Sequence, residues 1–204
     1  AGVAVLAGRE RPVTSDEAGA FFNATSGPII LKAVMGGGGR GTRVVYDESE
    51  LEDAFIRCQS EAQAAFGNDQ VYVEEFLSRA KHIEIQIIGD LMGDITHLGD
   101  RECSVQRRNQ KIVEVAPAPG LSASLREKIT DAALIFARQH HYLSLGTFEF
   151  LIDVNSPDER FVFIEANARL QVEHTVTEEI TGFDLVRGQI QIALGSSLAD
   201  VGLR

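Results

Sequence analysis

Hydrophobic positions recur with two different periods along this chain, and the changes of period mark out its elements. "TSDEAGAFFNAT" opens on Thr14 with Glu17 three residues on, a capping box that predicts a short helix. "GPIILKAV" is an apolar run that predicts a buried strand; after a cluster of glycines "TRVVYD" predicts a second. Leu51, Phe55, Cys58, Ala62 and Phe66 recur at helical spacing as far as Gly67. "QVYVEEFL" reads as a strand. "KHIEIQIIGD" sets Ile83, Ile85 and Ile87 against Glu84 and Gln86, which predicts a half-buried strand. "GDITHLGDREC" and "KIVEVAPAPG" continue the sheet. Leu125, Ile129, Ala132, Ala133 and Phe136 predict a long helix, with Ser124 and Glu127 as its capping box. "LGTFEFLID" and "RFVFIEAN" predict two more strands, and the closing "DLVRGQIQIALGSSLADVGLR" is mostly helical. The prolines and glycine from Pro117 to Gly120 suggest a division into a smaller lobe, 1–117, and a sheet-plus-helix core, 118–204.

Composition narrows the possibilities. The 204 residues are 44% hydrophobic and 24% charged, enough for a sizeable core. A net charge of -11 argues against non-specific nucleic-acid binding, yet a local basic pocket can still hold a nucleotide. Two distant cysteines, Cys58 and Cys103, make neither a disulfide framework nor a metal motif and point to a reducing compartment. No apolar run reaches membrane-spanning length. The start "AGVAVLAGRE", without an initiator methionine, reads as a piece of something longer.

Candidate chemistry begins with "KAVMGGGGRGTRVV". Gly36, Gly38 and Gly41 match G-x-G-x-x-G, but the next segment is strand-like, so neither a dinucleotide fingerprint nor a P-loop fits. A strand–glycine–strand hairpin remains. Its backbone amides can form a nest for an anion beside Lys32, or it is simply a flexible tip. Farther on, Glu149 interrupts one apolar strand, and Glu165 and Asn167 share a face of the next. A turn centred on Pro157 sets Glu149 opposite Glu165, with Cβ atoms roughly 5 Å apart. Two carboxylates that close among apolar residues share a proton or a cation. The amide oxygen of Asn167 favours a cation bound by oxygen, Mg²⁺ or Mn²⁺. Arg169, Gln171 and Glu173 alternate onto one side if extended. An arginine and a glutamate there can hold a small anion and remove a proton, or form a surface ion pair. His97, His140 and His141 read as surface or packing residues, Cys103 as core, and His174 as a residue orienting Glu173.

The segments "KAVMGGGGRGTRVV", "VEEFL", "KHIEIQI", "RECSVQRRNQKIVEVAPAP", "GTFEF" and "FIEANARLQVEHTVTEEITG" together resemble the biotin carboxylase component of biotin-dependent carboxylases, in the ATP-grasp superfamily. The resemblance implies an α+β fold: the central glycine-flap lobe, 1–117, and part of the C-terminal metal- and bicarbonate-binding core, 118–204. It implies ATP held by Lys32, by the flap glycines Gly38 and Gly39, by Glu74, Glu75, Phe76 and Leu77 at adenine, and by His82, Gln106 and Asn109. Backbone groups of Glu75 and Leu77 are the expected adenine contacts. Glu149, Glu165 and Asn167 match the ligands of Mg²⁺ or Mn²⁺, two ions in the family. Lys111, Arg169, Gln171 and Val172 match the bicarbonate pocket, and Glu173 the general base.

The implied reaction is ATP-dependent carboxylation of biotin through carboxyphosphate. Biotin is presented by a biotinyl carrier domain and a carboxyltransferase domain completes the parent, a homo-oligomer in the cytoplasm, or in mitochondria if eukaryotic. The closing segments look most like multidomain acyl-CoA carboxylases, with pyruvate and urea carboxylases as alternatives. Two departures stand out: Asn109 where the family often has histidine, and the lack of flanking parts carrying a further lysine and arginine. The chain alone is therefore expected to turn over poorly. The alternatives are another ATP-grasp ligase, of carbamoyl-phosphate synthetase or peptide-ligase type, and a non-catalytic nucleotide-binding module.

Overall fold

A computed structural model describes residues 1–36, 40–107 and 109–203. Two compact units emerge, one of residues 6–78 with 108–110, the other of residues 1–5, 79–107 and 111–204. The boundary expected at 117/118 falls inside the second unit, because strands on both sides of it pair in one sheet.

In the first unit, Thr14 caps helix α1 (Ser15–Ala24) through the reciprocal box with Glu17. Strands β1 (Ile29–Ala33), β2 (Thr42–Val45) and β3 (Val71–Glu75) form an antiparallel sheet in the order β2-β1-β3. Helix α2 (Leu51–Phe66) stops at Gly67, whose left-handed φ of 69° ends it. Strand β1 is not uniformly buried as its apolar run suggested. Ile29, Leu31 and Ala33 enter the core with Phe21, Phe55 and Val73, while Ile30 and Lys32 lie on the half-buried face.

The second unit is a five-stranded antiparallel sheet, β6-β5-β4-β7-β8. Its strands are β4 (Ala80–Gly89), β5 (Ile95–Arg107), β6 (Gln110–Val115), β7 (Ser144–Asp153) and β8 (Phe161–Asn167). Helix α3 (Ala123–Gln139) covers one face, where Leu125, Ile129, Ala133 and Ala137 meet Ile83, Ile85, Ile87, Phe148 and Phe150. Its cap is Ser122, accepting from the Leu125 amide, rather than the expected Ser124 with Glu127. Helices α4 (His174–Thr181) and α5 (Leu185–Ala193) contact β5 and β7 respectively.

Strand β4 therefore departs from the expected half-buried pattern: Glu84 and Gln86 are as buried as the isoleucines. Their side chains find polar partners on β5, which the alternating pattern of one strand could not show. Where β5 skips a residue against Ile85 and Ile87, Gly99 takes a φ of +89°. This bulge sets Arg101 directly opposite Glu84.

Gly41 answers part of the question raised by the glycine cluster. It has φ +68°, its carbonyl accepts from the Ala33 amide at 2.7 Å, and a Cβ there would lie 2.7 Å from that of Ala33. Gly41→Ala is expected to cost about 1–3 kcal/mol through overpacking and strain, lowering the thermal midpoint by several degrees. An unchanged midpoint in a melting curve would contradict this account of the hairpin base.

Candidate active site

A row of charge crosses the larger sheet. The registers pair Arg101 of β5 with Glu84 of β4, Glu84 with Glu149 of β7, and Glu149 with Glu165 of β8. The expected apposition of Glu149 and Glu165 is thus present, but a turn symmetric about Pro157 does not account for the whole ladder. Beyond Glu149↔Glu165, Phe150 faces Phe163, so Ile164 is skipped and the register slips by one. Next along, Asn167 pairs with Thr147.

The two glutamates differ in surroundings. Glu165 is exposed rather than set among apolar side chains, whereas Glu149 is 3% exposed. The amide of Asn167 bridges them, its Nδ2 donating to Glu149 Oε1 at 2.9 Å and Glu165 Oε1 at 3.0 Å. Glu149 also lies 2.7 Å from His82 Nε2 and accepts from Lys111 Nζ at 3.0 Å and Gln171 Nε2 at 3.2 Å. Burial works against its ionisation, but the His82 hydrogen bond and charge and the Lys111 ammonium prevail and hold its pKa down to about 2. Between Glu149 and Glu165 the bridging group is the Asn167 amide, while the Lys111 ammonium meets Glu149 alone of the two.

That ammonium is the centre of the site. Lys111 Nζ donates to Glu84 Oε2 at 2.5 Å, Glu173 Oε1 at 2.5 Å and Glu149 Oε1 at 3.0 Å. Burial alone would favour neutral lysine; the Glu84 charge, the bonds to Glu173 and Glu84, and Glu149 reverse this and raise its pKa. Glu173 is likewise lowered against its burial, chiefly by the Lys111 hydrogen bond. The Lys111 bond thus favours the ionised carboxylate and already engages its Oε1. Gln171 Oε1 is buried without a hydrogen-bond partner a short reach away, on the residue whose Nε2 touches Glu149. An orphaned buried acceptor fits a ligand that donates a proton.

Other expected residues divide. Gln106 Nε2 meets His82 Nδ1 at 2.7 Å, so the two nucleotide candidates sit together and His82 joins them to Glu149. Arg169 is exposed and bonds Asn167 Oδ1 at 3.2 Å, without reaching Glu173 or Lys111 among the described contacts. It therefore does not share one buried side with Gln171 and Glu173, because the segment turns instead of running extended. Val172 is 91% exposed. His174 holds the Gln171 carbonyl, 2.8 Å from its Nδ1, and no contact ties its ring to Glu173. Asn109 takes a left-handed φ of 63° in the turn between β5 and β6, a conformation asparagine tolerates better than most residues.

In the smaller unit, Lys32 Nζ is 2.5 Å from Glu74 Oε2 and lies over the Tyr72 ring. The Glu75 amide donates to Ala7 and the Phe76 amide to Pro28, so neither N–H is available to adenine, and Leu77 follows half-buried. Gly38 and Gly39 lie outside the described residues. Sequence reasoning passed over Glu84, Arg101, Thr147 and Thr177. The signal was present as a glutamate and an arginine inside the strand segments "KHIEIQI" and "GDREC", but only the register pairs them.

The donor set of Glu149, Glu165 and Asn167, oxygen-bearing and on adjacent strands, fits a hard divalent cation. Neither cysteine is disposed to ligate: burial pushes the Cys103 thiol up, helped by Glu84, and Cys58 up to about 11.

Known proteins resemble this chain along nearly its whole length. The family model of the carbamoyl-phosphate synthase L chain ATP-binding domain matches residues 1–201. Pyruvate carboxylase 1 of Caenorhabditis elegans is 56% identical over 204 residues, all of this chain and 17% of that protein. The Campylobacter jejuni biotin carboxylase solved as a β-γ-ATP complex superposes with a TM-score of 0.91 at 42% identity, over 97% of this chain and 44% of that one. The biotin carboxylase domain of Hydrogenobacter thermophilus 2-oxoglutarate carboxylase, solved as a dimer with MgADP, ADP and bicarbonate, gives 0.89 at 42%, over 97% and 43%. The chain thus spans about a sixth of its curated relatives' length, and its fold is the α+β ATP-grasp type of these neighbours. The chain belongs to the carbamoyl-phosphate synthase L chain ATP-binding domain family, and within it to the biotin carboxylase domains of biotin-dependent carboxylases.

Proposed function

We propose that this chain carries the ATP-grasp part of the biotin carboxylase domain of a pyruvate carboxylase, which carboxylates biotin with bicarbonate and ATP. The observation that carries the reading is Lys111, an ammonium held by Glu84, Glu149 and Glu173 beside the unpartnered acceptor of Gln171. Such a site suits a small anion that also carries a proton. In this reading the Lys111 ammonium binds a bicarbonate oxygen, and the bicarbonate O–H faces Gln171 Oε1 or Glu173. Entry of the anion shifts Lys111 away from Glu173 and frees Oε1 to accept the proton. The deprotonated oxygen attacks the γ-phosphorus of ATP, the bond to the β-phosphate oxygen breaks, and carboxyphosphate and ADP result. Carboxyphosphate then supplies CO₂ to biotin on its carrier domain.

A divalent cation held by Glu149, Glu165 and Asn167 would neutralise triphosphate charge. Lys32 is proposed to bind phosphate after leaving Glu74, and His82 with Gln106 to contact the nucleotide. With the Glu75 and Phe76 amides already bonded, adenine recognition falls to carbonyl groups there and to Leu77. Gly38 and Gly39 are proposed to close over the phosphates, which would keep water from the labile intermediate. Arg169 enters the bicarbonate pocket only by turning inward from its exposed position. The positive φ at Asn109 suits asparagine, whose side chain can donate a hydrogen bond there but carries no charge.

The acceptor is proposed as pyruvate because the curated relatives are pyruvate carboxylases, whereas the wording of the closing segments had favoured acyl-CoA carboxylases. Acceptor choice belongs to a carboxyltransferase, so motifs in this region carry little information about it. A non-catalytic module is disfavoured by the intact set of ionised groups, and an ammonia-using ligase by the 42–56% identity to carboxylases.

In the intact enzyme, Glu173→Gln is expected to lower bicarbonate-dependent ADP release by about 10²–10⁴-fold while ATP binding persists. Unchanged release would remove Glu173 as the base. Glu165→Gln is expected to raise the Mg²⁺ concentration for half-maximal ATP hydrolysis by about 10–100-fold. An unaltered Mg²⁺ dependence would remove it from the metal set.

A further inference from the structure

Strand β5 carries a fully buried charge that the proposed chemistry does not use. Arg101 is 0% exposed. Its Nε donates to Glu84 Oε1 at 2.5 Å, its Nη1 to Gln86 Oε1 at 2.9 Å and Thr177 Oγ1 at 2.7 Å, and its Nη2 to Thr147 Oγ1 at 3.3 Å. These partners come from β4, β7 and α4.

What each partner does in turn is informative. An arginine serving cohesion alone would meet a carboxylate most strongly with two parallel bonds. Arg101 commits Nε to Glu84 and turns its other nitrogens elsewhere, which leaves Glu84 Oε2 for Lys111 at 2.5 Å. Thr177 sits in the opening turns of α4, the helix whose N-cap residue is Glu173. Gln86 is fixed from the other side, its Nε2 donating to the Gly146 carbonyl at 3.0 Å. A planar, permanently charged fork bonded to two neighbouring strands therefore reaches two of the three carboxylates around Lys111: Glu84 directly, and Glu173 through its helix.

We propose that Arg101 is a positioning residue for bicarbonate handling, orienting Glu84 against Lys111 and setting Glu173 through Thr177. The proposal rests on the reading of Lys111 and Glu173 as the bicarbonate pair. It predicts that loosening this fork weakens bicarbonate use selectively, since the described bonds of Arg101 reach none of the proposed nucleotide contacts Lys32, Glu74–Leu77, His82 or Gln106.

The test uses the intact carboxylase and steady-state ADP release with bicarbonate and ATP varied separately. Thr177→Val removes one acceptor while keeping the side-chain shape. It is expected to raise KM for bicarbonate, and so lower its kcat/KM by about 10–100-fold, the scale of a small misplacement of groups, with KM for ATP unchanged. Thr177→Ser, which keeps the hydroxyl, is expected to restore most of the loss. Arg101→Lys, which keeps the charge but not the fork, is expected to show the same bicarbonate-selective defect. A lower kcat with both KM values unchanged signals only less folded enzyme and would overturn the proposal. So would equal weakening of both substrates, or wild-type bicarbonate efficiency in Arg101→Lys. A wild-type enzyme that releases ADP without regard to bicarbonate would instead overturn the parent reading, and this role with it.

Discussion

One ammonium among three carboxylates governs the larger unit. Glu84, Glu149 and Glu173 are each 8% exposed or less, and such groups repel one another strongly when ionised in a low-dielectric interior. Lys111 makes their proximity tolerable, and Arg101 does the same from beneath Glu84. The strand order β6-β5-β4-β7-β8 is what gathers them. It brings Lys111 from one edge strand toward carboxylates on the central strands, while the turn after β8 returns Gln171 and Glu173 to the same face. Burying this much charge is poor design for stability, since a matched apolar core would serve as well or better. Its retention makes sense if the charges are for a ligand.

The same logic recurs in the smaller unit. Lys32, the expected phosphate contact, is paired with Glu74. In both units a lysine suited to an anion is held by the protein's own carboxylates. In the proposed reaction substrate anions would replace carboxylate partners instead of meeting a bare, solvated cation. On that proposal the pairings hold each lysine in place before substrate arrives, the preorganisation that electrostatic catalysis depends on.

How far the sequence revealed this depends on whether a feature is local or a matter of pairing. The capping box at Thr14 and the stop at Gly67 are local, and both are present. Glu149 opposite Glu165 was legible because a hairpin's turn limits its register, even though the skipped Ile164 was not foreseen. The Arg101–Glu84 pair was not legible. Its strands also form a hairpin, but the register contains a bulge at Gly99, and alternation alone made Glu84 look solvent-facing. The segment after Asn167 misled for a similar reason: it turns into α4, so Gln171 and Glu173 go inward while Arg169 stays out. Motif wording picked out Lys111, Glu149 and Glu173, but not which carboxylates Lys111 would hold.

The central claim is that the Lys111 ammonium is the receptor for bicarbonate. The most direct measurement is ADP release by the intact enzyme carrying Lys111→Met, with and without saturating bicarbonate, alongside ATP affinity as a check that the site is folded. The account predicts that bicarbonate stimulation falls by about 10²–10³-fold, the usual loss for one preorganised donor, while ATP still binds. A variant that binds ATP and keeps its stimulation by bicarbonate would contradict it.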